Sequence, residues 1–159
     1  MAQGPLKILF LCTGNSARSI LAEYLLRRLA PERFDVYSAG AAPTGTVNPL
    51  ATKVLSERFH IDASSARSKS WDEFRDLKFD FVITVCDRAR ESCPVWPGQP
   101  VIAHWGTADP AAVAGTPRQQ ERAFVNVAVE MSRRLQLLCA LPLEKLERLR
   151  LEKAVRELG

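Results

Sequence analysis

Residues Leu6 to Ser19 read LKILFLCTGNSARS: an apolar run, a cysteine, a loop of small residues, then an arginine and a serine where a helical pattern begins. Lys7 to Leu11 is short, apolar and followed by turn-type residues, the pattern of a fully buried parallel strand. Cys12 and Arg18 bracket five residues, of which Thr13, Gly14, Ser16 and Ala17 are small enough for backbone N–H groups to converge on one point. A strand that runs into such a loop and then a helix gathers amides and the positive end of the helix dipole in an anion-binding nest. Arg18 adds a planar fork of donors for two oxygens of the anion. The same fields favour a thiolate at Cys12, with Ser19 a candidate hydroxyl donor to it and Asn15 a candidate brace. Thr13, Gly14, Asn15, Ser16, Ala17, Arg18 and Ser19 thus describe a cup for a tetrahedral oxyanion, with a sulfur nucleophile at its base. A lone cysteine is usually a small buried hydrophobe; the strand before Cys12, the small residues after it and the helix beyond outweigh that reading.

The pattern continues outward in alternation. A helix from Ser19 to about Leu29, with Leu21, Tyr24, Leu25 and Leu29 on its apolar face, ends at Pro31. Phe34 to Ala39 reads as a strand, Gly40 to Asn48 as a loop, and Pro49 opens a helix to about Phe59. Trp71 to Leu77 reads as a short helix, with Ser70 and Glu73 in a capping-box pattern. Phe79 to Val85, FDFVITV, should be a central strand, with Cys86 at the C-terminal end where α/β sheets place their chemistry. A loop from Asp87 to Gln99 carries Cys93, and Val101 to His104 is the last strand. From Thr116 to Cys139, Phe124, Ala128, Met131, Leu135 and Leu138 mark one long amphipathic helix. Pro142 breaks it, and a shift in leucine phase predicts two short segments over the tail. Strand–helix alternation of this kind is a parallel α/β domain, expected over residues 1–141, with a helical extension over 142–159.

The 159 residues, 47% hydrophobic, suit one domain that buries its core without disulfide staples. The opening MAQGPLK lacks the features of a secretory leader and no apolar run is long enough to span a bilayer, so the cytoplasm is the expected location. There, Cys12, Cys86, Cys93 and Cys139 are expected as free thiols, and any disulfide as catalytic and transient. The formal charge of +4 is small and no basic block interleaves with aromatics, so neither nucleic acid nor membrane is an expected partner. Cys139, among leucines, reads as a packed core cysteine. His104 reads as a satisfied turn or core histidine; with only His60 elsewhere there is no metal cluster.

The segment Cys12-Thr-Gly-Asn-Ser-Ala-Arg18-Ser19 resembles the C-x5-R-S loop of low-molecular-weight protein tyrosine phosphatases and of the arsenate reductases that share their fold. The resemblance continues, in the family's order, through Tyr37-Ser-Ala-Gly40, Val47-Asn-Pro49, Ser68-Lys-Ser70, Thr84-Val-Cys86, Cys93-Pro94, His104-Trp-Gly106 and Asp109-Pro-Ala111. It covers residues 6 to about 138 and implies a three-layer domain around a central four-stranded parallel sheet flanked by helices. It also makes Asp109 the general acid on its loop, where an isolated Asp-Pro would read only as a turn. The last segment is similar to an extension seen in some members.

The two branches of that family imply different reactions. A phosphotyrosine phosphatase would carry aromatic residues after the Asp-Pro to wall the substrate's ring, and this chain has Ala111, Ala112 and Val113. A hydrolase finishes with water, whereas a reductase must supply two electrons, and Cys86 and Cys93 match the thiol pair of thioredoxin-coupled arsenate reductases. The resemblance therefore implies reduction of arsenate to arsenite, with Cys12, Arg18, Asp109, Cys86 and Cys93 as the catalytic set. Cys12 attacks arsenate, Cys86 takes over the sulfur bond, and Cys93 closes a disulfide that thioredoxin, or glutaredoxin with glutathione, reopens. The alternatives are a phosphomonoester hydrolase and an oxyanion-binding module without turnover. Ala17 stands where many such reductases have a further loop cysteine, which excludes a side disulfide inside the loop. Some members bind potassium through residues matching Asn15, Glu23, Ser38 and a carboxylate; here Lys69 takes the carboxylate's place, so neither metal nor cofactor is expected.

Overall fold

The structure, a computed structural model, describes residues 4–159, so the reading of the N-terminus as leader-free falls in part outside the described residues. Four strands, β1 (Leu6–Cys12), β2 (Phe34–Gly40), β3 (Phe81–Thr84) and β4 (Val101–His104), form one parallel sheet in the order β2-β1-β3-β4. β1 is central because Ile8 to Leu11 is apolar on both faces and fully buried; each such side chain contributes about 1.5–3 kcal/mol. The chain steps from β1 to β2 on one side and returns to β3 on the other. The sheet's switch point, where α/β folds hold ligands, therefore lies at the C-terminal end of β1. Register brings Cys12 beside Gly40 and Leu11 beside Thr84, so the strand ends converge there.

Helices α1 (Arg18–Leu29), α2 (Pro49–Phe59) and α4 (Pro117–Ala140) pack on one another, and α1 lies against β1 and β2. α1 is buried continuously from Ser19 to Leu26. Leu29, expected on the core face, is 40% exposed, as the last residue of the helix. Ser38 of β2 reaches α1 through Glu23, so by strand alternation Tyr37 points to the opposite face. There it meets Phe74 and Phe79, and Phe79 in turn meets Trp96, all edge-on.

Two local expectations are corrected. Trp71 to Leu77 is a single 3-10 turn, Trp71–Phe74: Ser70 accepts from the Asp72 N–H, but the Glu73 carboxylate is held by both nitrogens of Arg67 and does not close a capping box. The capping box forms instead at Thr116 and Gln119, at the head of α4. The segment after Cys86, expected as loop, contains α3 (Asp87–Ser92), which stops at Cys93 because Pro94 disfavours helix in the residue before it.

The tail is a 3-10 turn (Leu143–Lys145) and α5 (Arg148–Glu157), the two segments its leucine phase predicts. Its Val155 and Leu143 are buried, and the Val155 carbonyl accepts from Trp105 Nε1 at 3.1 Å. β4 pairs only with β3, which leaves an edge of unpaired carbonyls. Arg148 and Arg156, eight apart on α5, donate to Pro100 O and Ile102 O of that edge, each at 3.1 Å.

Candidate active site

β1 delivers Cys12 to the switch point, and the next five residues wrap it. The carbonyls of Cys12, Thr13, Gly14 and Ser16 accept from the N–H groups of Ala41, Ala42, Thr44 and Asn48 respectively, at 2.9–3.1 Å. Ser68 Oγ adds a second bond to Gly14 O at 2.9 Å. In a trans peptide the carbonyl and the following N–H point opposite ways, so outward-held carbonyls turn the Thr13, Gly14 and Ala17 amides inward. The approach of the two segments needs Gly40, because a Cβ there would stand 2.5 Å from Thr13 O.

Asn15 is fully buried, at φ 47°, a left-handed conformation that asparagine tolerates. Its Oδ1 accepts from the Lys69 backbone N–H at 2.9 Å, which sets the amide's orientation. Nδ2 then donates to Ser19 Oγ at 2.8 Å and Ser38 Oγ at 3.0 Å. With its oxygen accepting, Ser19 has its proton free for Cys12 Sγ, 2.8 Å away. The Asn15 N–H points at the same sulfur from 3.2 Å. Two donors thus converge on Sγ, the arrangement that holds an anionic sulfur.

Lys69 anchors this brace. Its buried ammonium meets Asn15 Oδ1 at 3.3 Å, Ser38 Oγ at 3.1 Å and Arg67 O at 3.1 Å, with Glu23 Oε1 at 3.8 Å. Three N–H donors find three acceptors, so the residues that would surround a cation are occupied by the chain's own. Burial lowers the Lys69 pKa below 10.5, against the pull of Glu23, with Arg67 and Arg27 lowering it further. The unfolded chain therefore binds more protons between that lowered value and 10.5. This lysine's desolvation cost is complete below the window and is relieved as pH rises through it. The expected result for Lys69→Met is a loss of about 2 kcal/mol at neutral pH, from acceptors left unpaired in the interior. The alkaline rise in stability should vanish with it; urea unfolding across pH measures both.

Arg18, at the head of α1, donates to Thr107 O at 3.1 Å and stands 3.9 Å from Asp109 Oδ2. The other Asp109 oxygen caps a 3-10 turn by accepting from the Ala111 N–H at 3.0 Å. A cavity of about 370 Å³ joins these groups, lined by Cys12, Thr13, Gly14, Ser16, Ala17 and Arg18 of the loop together with Thr44, Cys86, Arg88, Asp109 and Ala111; Asn15 and Ser19, expected among the oxyanion-binding residues, are fully buried behind it and brace the loop instead. Nothing in the sequence marks Arg88 or Thr44 for this cavity: neither lies in a patterned motif, and Arg88 sits on α3. A groove of about 650 Å³ between α2 and residues 62–68 is larger but is lined by no cysteine and by none of the predicted catalytic residues.

Of the five predicted catalytic residues, four share this cavity. Cys86 is 6% exposed and its Sγ lies 3.3 Å from Thr13 Oγ1 on the loop itself. Cys93 is elsewhere: at the far end of α3 it faces a second cavity of about 380 Å³ with Thr84, Arg90, His104 and Arg156. All four cysteines are free thiols. Burial raises the pKa of Cys93, and likewise that of Cys139, which is half-buried at the core's rim. His104 is satisfied by Thr84 Oγ1 at 2.8 Å and Asp87 Oδ1 at 3.0 Å, the structural role expected of it.

The family described as low molecular weight phosphotyrosine protein phosphatase matches residues 7–139. An arsenate reductase of Halalkalibacterium halodurans is 40% identical over 128 residues, 80% of this chain and 91% of that protein. A solved arsenate reductase in a phosphate-binding state is similar in fold at TM-score 0.72 and 28% identity, covering 85% of this chain and 97% of that one. A thioredoxin-dependent arsenate reductase of Corynebacterium glutamicum, also 28% identical, gives a TM-score of 0.59 over 87% of this chain and 65% of its own. On its sequence and its fold, the chain belongs to the low molecular weight phosphotyrosine protein phosphatase family.

Proposed function

We propose that this protein reduces arsenate to arsenite through a three-thiol relay. The observation that carries the reading is that two thiols, Cys12 and Cys86, open into one oxyanion cavity. A hydrolase needs one; a second thiol beside the first supplies the electrons. Arsenate is held by the inward amides and Arg18. Cys12 thiolate forms an S–As bond and a hydroxide leaves, protonated by Asp109 to water. Cys86 then attacks Cys12 Sγ: an S–S bond forms, the S–As pair stays with arsenic, and arsenic(V) leaves as arsenite. Cys93 attacks Cys86 Sγ, frees Cys12 as a thiolate and leaves a Cys86–Cys93 disulfide.

The last step needs α3 to unwind, since this helix separates Cys86 from Cys93. Six residues make a helix that is marginal on its own, and Ala89 is its only buried residue, so the rearrangement breaks little packing. Exchange with an external dithiol restores the thiols. Thioredoxin is the reductant this reading assigns, supported by the likeness to a thioredoxin-dependent arsenate reductase; glutaredoxin with glutathione is the alternative donor. The extension over residues 142–159 fits the same picture, closing the sheet edge beside the Cys93 cavity, where Arg156 forms a wall.

The competing reading, phosphomonoester hydrolysis by the same loop, meets an alanine at position 111 where an aryl ring would need a wall. Arsenite formation with thioredoxin, thioredoxin reductase and NADPH should exceed hydrolysis of an aryl phosphate in kcat/KM by about 100-fold, a difference of about 2.7 kcal/mol in transition-state binding. A preference for the aryl phosphate would reverse the assignment.

A further inference from the structure

Trp96 is 2% exposed, and its Nε1 is the one buried side-chain nitrogen or oxygen without a hydrogen-bond partner among the described residues. An orphaned buried donor costs about 1–3 kcal/mol, and the protein avoids it elsewhere: the indole of Trp105 donates to Val155 O. The Trp96 ring is fixed by the edge of Phe79, centroids 5.6 Å apart at 85°. Trp96 is the side chain that acts against burial at Cys93, three residues earlier, yet its N–H closes no hydrogen bond there with the thiol neutral. The thiol is itself poorly engaged, its S–H directed at Pro94 O from 3.6 Å.

These two incomplete groups answer each other. A neutral thiol is a weak acceptor and leaves the indole unpaired; a thiolate is a strong one and satisfies it. Ionisation of Cys93 therefore recovers free energy that the neutral state forgoes. We propose that Trp96 is the hydrogen-bond donor that holds the Cys93 thiolate for its attack on Cys86. The proposal rests on the reading of Cys93 as the third thiol of the relay. Burial raises the pKa of Cys93 and the Trp96 side chain works against that rise. Only Pro94 and Val95 separate the two residues, and the ring is anchored on Phe79, so the donor is held near Cys93 before α3 unwinds.

Trp96→Phe keeps an aromatic ring against Phe79 and removes the N–H. In the full chain, alkylation by iodoacetamide is followed across pH and read at Cys93 by peptide mapping, with Cys139 as internal reference. The expected result is a rate at Cys93 about tenfold lower near neutral pH, from loss of a hydrogen bond to a charged group. The ionisation midpoint should move up while the Cys139 profile stays in place. Should Trp96→Phe fold poorly, 3-benzothienylalanine at position 96 preserves the bicyclic shape without the donor and carries the same expectation. Identical Cys93 profiles with and without the N–H would overturn the proposal. In single turnovers the variant should release arsenite normally and accumulate a Cys12–Cys86 disulfide; a shifted profile without that accumulation would remove Trp96 from the step. Cys93→Ser separates the two claims: if it accumulates no Cys12–Cys86 disulfide, the relay fails, and the alkylation profile still decides whether Trp96 serves the thiolate.

Discussion

Replacing Cys12 with serine is expected to abolish arsenate reduction, by about four to six orders of magnitude in kcat, the scale on which nucleophile loss is felt. Two properties of sulfur are lost together. The Asn15 N–H and Ser19 hydroxyl converge on Sγ, placed to stabilise the thiolate that the relay calls for, whereas an alkoxide is far harder to form than a thiolate under the same donors. Oxygen also forms no counterpart of the Cys12–Cys86 disulfide, so the two electrons for arsenic have no donor even if an ester forms. Anion binding should survive, because the inward amides and Arg18 are untouched. The variant is therefore expected to bind phosphate with Kd within about threefold of the parent, well under the tenfold that 1.4 kcal/mol represents. Arsenite quantification alongside phosphate titration calorimetry separates loss of the nucleophile from collapse of the loop.

Cys86→Ser carries the next largest effect and discriminates between reactions. Cys86 Sγ touches Thr13 of the loop and lines the oxyanion cavity. In the relay it is the group that pulls sulfur off arsenic, so its removal should lower arsenite turnover at least about a thousandfold, as expected when one member of an interdependent set is lost. Residual hydrolysis of an aryl phosphate by the same loop should change less than about twofold, because water completes that reaction and a substituent so small at the cavity wall shifts the barrier by under 0.5 kcal/mol. Equal losses in both activities would mean that Cys86 supports the loop's shape, and undiminished arsenite turnover would dismiss the relay. Parallel assays on the purified variant give the answer directly.

What could be read from residues alone follows how local each determinant is. The strand Leu6–Cys12, the loop and the start of α1 form one uninterrupted pattern, and their geometry follows from it. Asp109 was legible because Asp-Pro follows His104-Trp-Gly106 in a recognisable order, and the structure puts its carboxylate beside Arg18. The expectation for Lys69 came from resemblance, since nothing in Arg67-Ser68-Lys69 announces a buried ammonium; burial and three acceptors were visible only in the fold.

Where the reading fell short, tertiary context decided. Asp87 to Ser92, DRARES, has almost no apolar periodicity, so α3 could not be anticipated, and with it went Arg88's place in the cavity and the turning of Cys93 away from Cys86. Glu73 had two suitors, the Ser70 backbone and the Arg67 guanidinium, and a bidentate ion pair won. The orphan N–H of Trp96 is a statement about what surrounds it, which no spacing encodes.

The relay is tested most directly by one turnover without reductant. Fully reduced protein receives one equivalent of arsenate, is alkylated under denaturing conditions and is mapped by mass spectrometry. The account predicts one arsenite per chain, a Cys86–Cys93 disulfide, and alkylated Cys12 and Cys139; no arsenite, with all four cysteines alkylated, would contradict it.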